Sequence, residues 1–256
     1  MLGLLRRWLR RRRLERTRIP ATAWQSAVTA LPLPDRLNST ERERLRDLAT
    51  LFLYEKVLEP AGGLELTPEM GPRIAAQACL PILNLGLDYY RGWSSVILYP
   101  EGFLARHEYT DSNGLVHSSH RPLIGEAWER GPVVLSWADV AASPAEPGYN
   151  VVIHEMAHKL DMLTGEVNGL PPLHRDMKVR DWSRVFNDAY QHLCRELNQG
   201  RPTVLDPYAA DSPGEFFAVI SEAFFTMPDM VIEAYPEVYR QLRAFYRQNP
   251  LAAPTG

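Results

Sequence analysis

Apolar residues recur along most of the chain at the intervals that a helix requires. The first such stretch follows the capping sequence at 38–41 and runs from Leu45 to Val57. A strong helix start at 211–215 combines a capping residue, a proline in the first turn and an acid. Helical spacing also predicts these segments: 67–90 (ending near Gly92), 149–165, 181–197, 213–225 and 236–248.

Two short apolar runs predict strands. Residues 95–99 are β-branched or aromatic and stop at Pro100, and residues 132–137 form a second run of the same kind. The segment between them is irregular and rich in turn residues through Asp-Ser-Asn-Gly at 111–114. The pattern therefore predicts few strands among many helices.

Composition limits the class of protein. The chain has 256 residues, of which 45% are hydrophobic and 23% charged, so it is neither disordered, collagenous nor a coiled coil. Cys79 and Cys194 are too few for a disulfide framework, which favours a reducing compartment. No apolar run reaches the roughly 18 residues of a membrane span. We expect a soluble, cytoplasmic protein.

Charge is distributed unevenly. Residues 1–18 hold eight arginines against one acid, a net +7, whereas the remainder carries −10. An acidic body argues against direct nucleic-acid binding. The basic start lacks the features of a secretory signal; it is either an amphipathic helix that touches anionic lipid or an acidic partner, or, as we favour, a frayed and solvated terminus. We expect a basic segment at 1–18, one domain at 19–250 and a tail at 251–256.

The sequence His154-Glu155-Met156-Ala157-His158 has a pattern that binds metal. Residues i and i+4 share one face of a helix, so both imidazoles can point at one ion. Two neutral imidazoles suit Zn²⁺, which in catalytic sites keeps a position open for water, and Glu155 can then accept a proton from that water. The alternative is a pair of core histidines beside a solvated glutamate; the apolar run before the pattern and Gly165 after it favour the metal.

A catalytic zinc normally has three protein ligands, so one more is required. The metzincin extension is absent, because Asp161 and Thr164 stand where its glycine and third histidine would be. A carboxylate is therefore expected. The apolar helix at 213–225 carries Glu215 and Glu222 on one face, and the pattern alone makes them equal candidates. The alternatives are helix capping for Glu215 and an exposed position or salt bridge for Glu222.

The motif at 154–161, His-Glu-Met-Ala-His-Lys-Leu-Asp, together with the stretch from Asp206 to Glu222, resembles the Mlc titration factor A family of bacterial zinc peptidases. Supporting stretches lie at 62–66, 75–86 and 92–100, and the similarity covers roughly residues 20–250. The resemblance implies an α+β fold: a zincin-like gluzincin related to the anthrax lethal factor catalytic domain, predominantly helical with a small mixed sheet.

The resemblance also implies a zinc-dependent, aminopeptidase-type activity on peptides. The family's third zinc ligand is the Glu that follows a Tyr by seven positions, which corresponds to Tyr208 and Glu215 and places Glu215 ahead of Glu222. Tyr208 is then a candidate to hydrogen-bond the oxyanion of the tetrahedral intermediate, with a packed loop aromatic as the alternative. Glu222 and Asp161 are candidates to orient the imidazoles, although Asp161 also suits a helix end.

A peptide substrate is expected to pair with the edge of a sheet. Of the two predicted strands, 132–137 is favoured over 95–99, because it directly precedes the helix that carries the histidines.

Some members of the family bind the glucose repressor Mlc, so a second hypothesis is a regulatory protein that sequesters a transcriptional repressor, with a metal site that is structural or vestigial. No residue here can be matched to that binding. Glu155 favours the enzyme, since a structural site has no use for a general base. A third hypothesis, an accidental motif in a helical protein, predicts no bound metal.

Overall fold

The computed structural model describes residues 2–29, 31, 37–101, 103–110, 116–123, 125–127, 131–143 and 147–251, with the backbone alone for 2–7 and 103–127. Its helices are α1 (Leu2–Thr17), α2 (Ala21–Thr29), α3 (Ser39–Glu55), α4 (Met70–Cys79), α5 (Trp137–Ala142), α6 (Val151–Asp161), α7 (Val179–Asn198), α8 (Pro213–Thr226), α9 (Pro228–Ala234) and α10 (Pro236–Tyr246). Its strands are β1 (Val57–Pro60), β2 (Ser95–Tyr99), β3 (Phe103–Thr110), β4 (Val116–Leu123), β5 (Gly125–Ala127) and β6 (Val133–Ser136). Short 3₁₀ turns lie at Leu87–Tyr90, Met162–Thr164 and Pro207–Ala210.

The small sheet is mixed. Its strand order in the described residues is β1-β2-β6-β5, with β1, β2 and β6 parallel and β5 antiparallel to β6. Strands β3 and β4 form a separate antiparallel hairpin. The expected fold class, an α+β zincin-like protein that is mainly helical, is confirmed.

The expectation that 132–137 or 95–99 forms the sheet edge is wrong. Strands β2 and β6 are each paired on both sides, and β1 and β5 are the outer strands of the described sheet. Strand β5 also lies against α6. The expectation that the segment between the two predicted strands is irregular is wrong, because it holds β3, β4 and β5. These strands went unpredicted because residues 100–131 have no sustained run of alternating apolar residues. The predicted turn at 111–114 lies outside the described residues.

Two helical predictions need correction. The first predicted helix stops at Glu55, and Val57 begins β1 instead. The segment 67–90 is not one helix: α4 ends at Cys79 and a 3₁₀ turn follows Gly86, which has a φ of 90°. Pro81 breaks the helix between them, because proline cannot donate the backbone hydrogen bond that would continue it.

The basic N-terminal segment forms α1, so the interpretation as a frayed, solvated terminus is wrong. Helix α1 packs along α3. Arg10 binds Glu55 at 2.8 Å and Asp88 at 3.0 Å, and Leu14 packs against the core. No helix among the described residues is long and apolar enough to cross a membrane.

Helices α6 and α8 pack against each other inside the core. The buried apolar residues of α6 are Val151, Val152, Ile153, Met156, Ala157 and Leu160, and those of α8 include Phe216, Phe217, Val219, Ile220, Phe224 and Phe225. Both helices are therefore held by burial on several sides, and their few polar residues have rigid positions.

Gly169 fixes the end of α6 against the start of α8. Its N–H donates to Asp161 at 2.7 Å, and its carbonyl accepts from the indole N–H of Trp182 at 2.8 Å. Its φ is +77°, and a Cβ there would lie 2.7 Å from the carbonyl oxygen of Pro213. Only glycine allows this approach without strain. The loop that contains Gly169 therefore packs against the first turn of α8, which carries Glu215.

Gly169→Ala should lower the free energy of unfolding by about 3 kcal/mol, because the left-handed conformation and the collision with Pro213 both add a cost. Gly200→Ala is the matched control: its φ is +66° and nothing lies within 4 Å of the added Cβ. The control should lose only about 1 kcal/mol in urea unfolding. Equal losses in the two variants would show that the close approach is unimportant.

Candidate metal centre

Helix α6 places the two histidines of the motif side by side. Asn150 caps the start of the helix, since its side chain accepts the N–H of Ile153 at 3.0 Å. One turn apart on one face, His154 and His158 bring their Nε2 atoms to 3.1 Å from each other. The expected spacing of the two imidazoles is therefore present.

Glu215 reaches the same point from α8. The Ser212 side chain caps that helix by accepting the N–H of Glu215 at 3.1 Å, and Pro213 fills the first turn. Glu215 Oε2 lies 3.1 Å from Nε2 of His154 and 3.3 Å from Nε2 of His158. Two separate helices thus contribute three potential ligand atoms to one place.

The three atoms fit a divalent metal ion. Ligands bonded at 2.0–2.1 Å in a tetrahedron lie about 3.3 Å apart, close to the spacing of these three atoms. Glu215 Oε2 is buried, and no donor among the described residues makes a well-oriented hydrogen bond to it. Two imidazole nitrogens and a carboxylate are the donor set that zinc takes in many hydrolases. A bound cation would stabilise the lone pairs of the two imidazole nitrogens and the carboxylate oxygen where they point at one place.

The charge of Glu215 agrees with this arrangement. Burial alone raises the pKa of this carboxyl, but the neighbouring imidazoles of His154 and His158 outweigh burial and hold the pKa well below its usual range. Glu215 is therefore ionised, which is the form that binds metal.

Glu222 lies behind His154. Its Oε1 accepts from Nδ1 of His154 at 2.6 Å, and its Oε2 accepts from the backbone N–H of Asn150 at 2.6 Å. Donation from Nδ1 leaves Nε2 of His154 with a free lone pair toward the cluster. Burial raises the pKa of Glu222, although its interaction with His154 and the hydrogen bond from the backbone of Asn150 oppose that rise. Of the two glutamates that the sequence pattern left equal, Glu215 is the one at the cluster, and Glu222 supports an imidazole.

Glu155 is buried next to the cluster, with 3% of its surface exposed. Its Oε2 has no hydrogen-bond partner in the described part of the chain. Burial raises the pKa of Glu155 to about 7, against the opposing charges of His154 and His158. A carboxylate with a pKa near neutrality is well matched to taking up and returning a proton.

Tyr208 borders the cluster and is partly exposed to solvent. The Asp206 side chain accepts the N–H of Tyr208 at 2.8 Å and so fixes the turn that carries it. The phenol ring stacks on the His154 ring with centroids 6.0 Å apart, and 44% of the residue is exposed. Burial and the charge of Glu215 raise the pKa of Tyr208, so the hydroxyl stays protonated and able to donate.

Asp161 does not orient a histidine. It is fully buried, and its carboxylate accepts the N–H of Gly169 instead. Among the described residues, Nδ1 of His158 has no hydrogen-bond partner. The expectation that Asp161 orients an imidazole is replaced by the observation that Asp161 holds the loop at Gly169.

Asn150 is a site residue that the sequence reasoning missed. Its backbone N–H holds Glu222, and its side-chain amide donates to Gln77 of α4 at 2.8 Å. An Asn just before an apolar helix is a recognisable N-cap signal. Nothing in the spacing of the sequence indicated that Gln77 or Glu222 would meet it.

The fold is that of a zincin-like metallopeptidase. The model of the glucose-regulated metallo-peptidase M90 family matches residues 5–247, and the chain belongs to that family. The match includes most of α1 as well as the helices that carry the cluster.

Curated relatives agree over most of their length. The Mlc titration factor A of Klebsiella pneumoniae is 38% identical over 231 residues, covering 90% of this chain and 87% of the relative. The proteins of the same name from Yersinia pestis and Yersinia pseudotuberculosis are 40% identical over 233 residues, covering 90% of this chain and 85% of each relative. The resemblance read from the sequence is confirmed.

Glu222→Gln should weaken Zn²⁺ binding by roughly 10- to 100-fold while the fold is retained. A carboxylate accepts two hydrogen bonds here, whereas an amide has one acceptor oxygen and must turn a donor toward either His154 or Asn150. Competition with a chromogenic chelator measures the affinity. The exposed residue Glu166 supplies the control, since Glu166→Gln makes the same chemical change away from the cluster. Equal affinities in the two variants would contradict a role for Glu222.

Proposed function

We propose that this protein is a zinc-dependent peptidase of aminopeptidase type, with His154, His158 and Glu215 as the metal ligands. The observation that carries the proposal is the convergence of three ligand atoms, 3.1–3.3 Å apart, from largely buried side chains of two helices. Membership of a metallopeptidase family supports it. The two free cysteines suit a cytoplasmic location.

Glu155 acts as the general base and then as the general acid. A bound zinc ion would supply a Lewis acid that acidifies water and polarises the substrate carbonyl. The Glu155 carboxylate takes the proton that the attacking water loses as the new C–O bond forms. It returns that proton to the nitrogen of the leaving amine as the C–N bond breaks. Its pKa of about 7 serves both transfers.

Tyr208 donates a hydrogen bond to the oxyanion that develops on the substrate carbonyl. A phenol that stays protonated beside an open site is suited to this task, since a donor aimed at developing charge favours the transition state over the ground state. Glu222 contributes by keeping the lone pair of His154 Nε2 directed at the metal.

The outer edge of β5 is the proposed place for the substrate backbone. Strand β5 pairs with β6 on one side and lies against α6, so an extended peptide added on the other side would lie close to the helix that carries the histidines.

Glu155→Gln should leave Zn²⁺ stoichiometry unchanged and lower peptide hydrolysis by about 10²- to 10⁴-fold, because the amide cannot take up a proton. Glu215→Ala should lower the affinity for metal further than the roughly 10- to 100-fold loss that follows when only a hydrogen-bond partner of a ligand is removed. Elemental analysis of each purified variant, together with its hydrolysis rate, checks both. Full zinc content in Glu215→Ala would reject Glu215 as a ligand, and full activity in Glu155→Gln would reject the general base.

Aminopeptidase specificity requires a free amino terminus on the substrate. Matched peptides with free and acetylated N-termini should therefore differ strongly in hydrolysis rate, and the product should be a single N-terminal residue detected by mass spectrometry. Internal cleavage of both peptides at similar rates would support peptidase activity but contradict aminopeptidase specificity.

Regulatory binding of a transcriptional repressor is the second candidate function, and the name Mlc titration factor A, carried by the relatives, favours it. In that case an Mlc-type repressor should form a complex with this protein that survives both chelator treatment and Glu155→Gln. An enzyme that acts only on peptides should form no such complex in analytical gel filtration.

A further inference from the structure

Helix α1 has two different sides. One side faces α3: Arg10 binds Glu55 and Asp88, and the guanidinium of Arg13 lies 3.7 Å above the ring of Tyr54. The positive charge of Arg10 is therefore matched by acids of the body. This side holds the helix in one orientation and fixes what the other side presents.

The outward side, composed of Trp8, Leu9, Arg11, Arg12 and Arg16, is exposed to solvent. Trp8 is 50% and Leu9 52% exposed, and the side chain of Arg11 is 84% exposed. Arg12 and Arg16 are also exposed, and the guanidinium of Arg12 lies 4.6 Å from the ring of Trp8. Glu15 is also exposed on this side, with its Oε1 3.9 Å from Nε of Arg11. An indole, an aliphatic side chain, three guanidinium groups and one carboxylate therefore share the surface, which keeps an excess of positive charge.

The charge of this surface contrasts with the rest of the molecule. The segment 1–18 carries +7 and the remaining chain −10. Arg10 and Arg18 of that segment pair with acids of the body, whereas the outward side keeps three arginines against one glutamate. An anionic partner is therefore attracted to the outward side of α1 and repelled by the body.

We propose that the outward side of α1 binds the surface of an anionic lipid bilayer. Arginines at a membrane surface contact lipid phosphates, while Trp and Leu enter the boundary between headgroups and acyl chains. The helix would lie in the plane of the interface, since its arginines prevent it from spanning. The site is independent of the metal centre on α6 and α8.

A lipid surface suits these residues better than a nucleic acid does. Contacts to nucleic-acid phosphates use the arginines but leave Trp8 and Leu9 without an apolar environment. A duplex also brings dense negative charge close to an acidic body over a wide area. A bilayer takes up both the apolar and the basic side chains of a single exposed helix.

The full-length protein should co-sediment with vesicles of phosphatidylcholine mixed with phosphatidylglycerol, and much less with vesicles of phosphatidylcholine alone. Each arginine near an anionic surface contributes about 1 kcal/mol, or roughly fivefold. The triple variant Arg11→Gln, Arg12→Gln, Arg16→Gln should therefore lose about a hundredfold in affinity. A control with the same change of net charge replaces three exposed arginines of the body: Arg44→Gln, Arg175→Gln and Arg180→Gln.

The apolar contribution is tested separately. Trp8→Ser with Leu9→Ser should lower vesicle affinity by about tenfold or more at unchanged net charge, because each side chain leaves water on binding. Circular dichroism shows whether the variants stay folded. Zinc content and peptide hydrolysis should match those of the wild type in every α1 variant, so this inference and the proposed function fail independently.

Three outcomes would overturn the proposal. One is equal binding to neutral and anionic vesicles. Another is an equal loss of affinity in the control triple variant, which would point to net charge rather than to α1. The third is binding of duplex DNA with the same arginine dependence and no binding to vesicles, which would make nucleic acid the partner.

Discussion

One buried carboxylate joins the two helices on which the candidate centre depends. Glu222, from the middle of α8, accepts from the His154 ring and from the backbone of Asn150, which begins α6. A buried carboxylate without partners would be very costly, so its two hydrogen bonds fix the separation and rotation of α6 and α8 together. With that geometry set, Glu215, two turns earlier on α8, places its Oε2 beside both imidazoles.

A second attachment lies at the other end of α6. Asp161 and Trp182 hold Gly169 from both sides, and the glycine presses on the backbone at Pro213. The helix pair is thus fixed at two points about three turns apart, with aromatic packing between them. Rigid placement of this kind suits a metal site, because ligands that need no rearrangement hold an ion at lower cost.

Sequence patterns predicted the features that depend on residues close together in the chain, such as helix faces and helix starts. The helical face with His154 and His158 follows from their spacing, and the start of α8 follows from its capping residue and proline. The choice between Glu215 and Glu222 does not follow from spacing, since both lie on one helix face, and it depends on how α8 crosses α6. Strand β5 was missed for a similar reason: it is held by pairing with β6, which no short stretch of sequence records.

The distance along the chain between the two halves of the cluster has a consequence for biosynthesis. Asn150 and Glu222 are 72 positions apart, and α7 is made between them. At about 5–20 residues per second, a ribosome takes several seconds to pass from α6 to α8. During that interval the nascent chain displays the apolar sides of α6 without the helix that covers them, and a pair of histidines without their carboxylates. The centre therefore cannot be completed until α8 has been synthesised, and until then the side of α6 that α8 covers stays open to contacts with other chains.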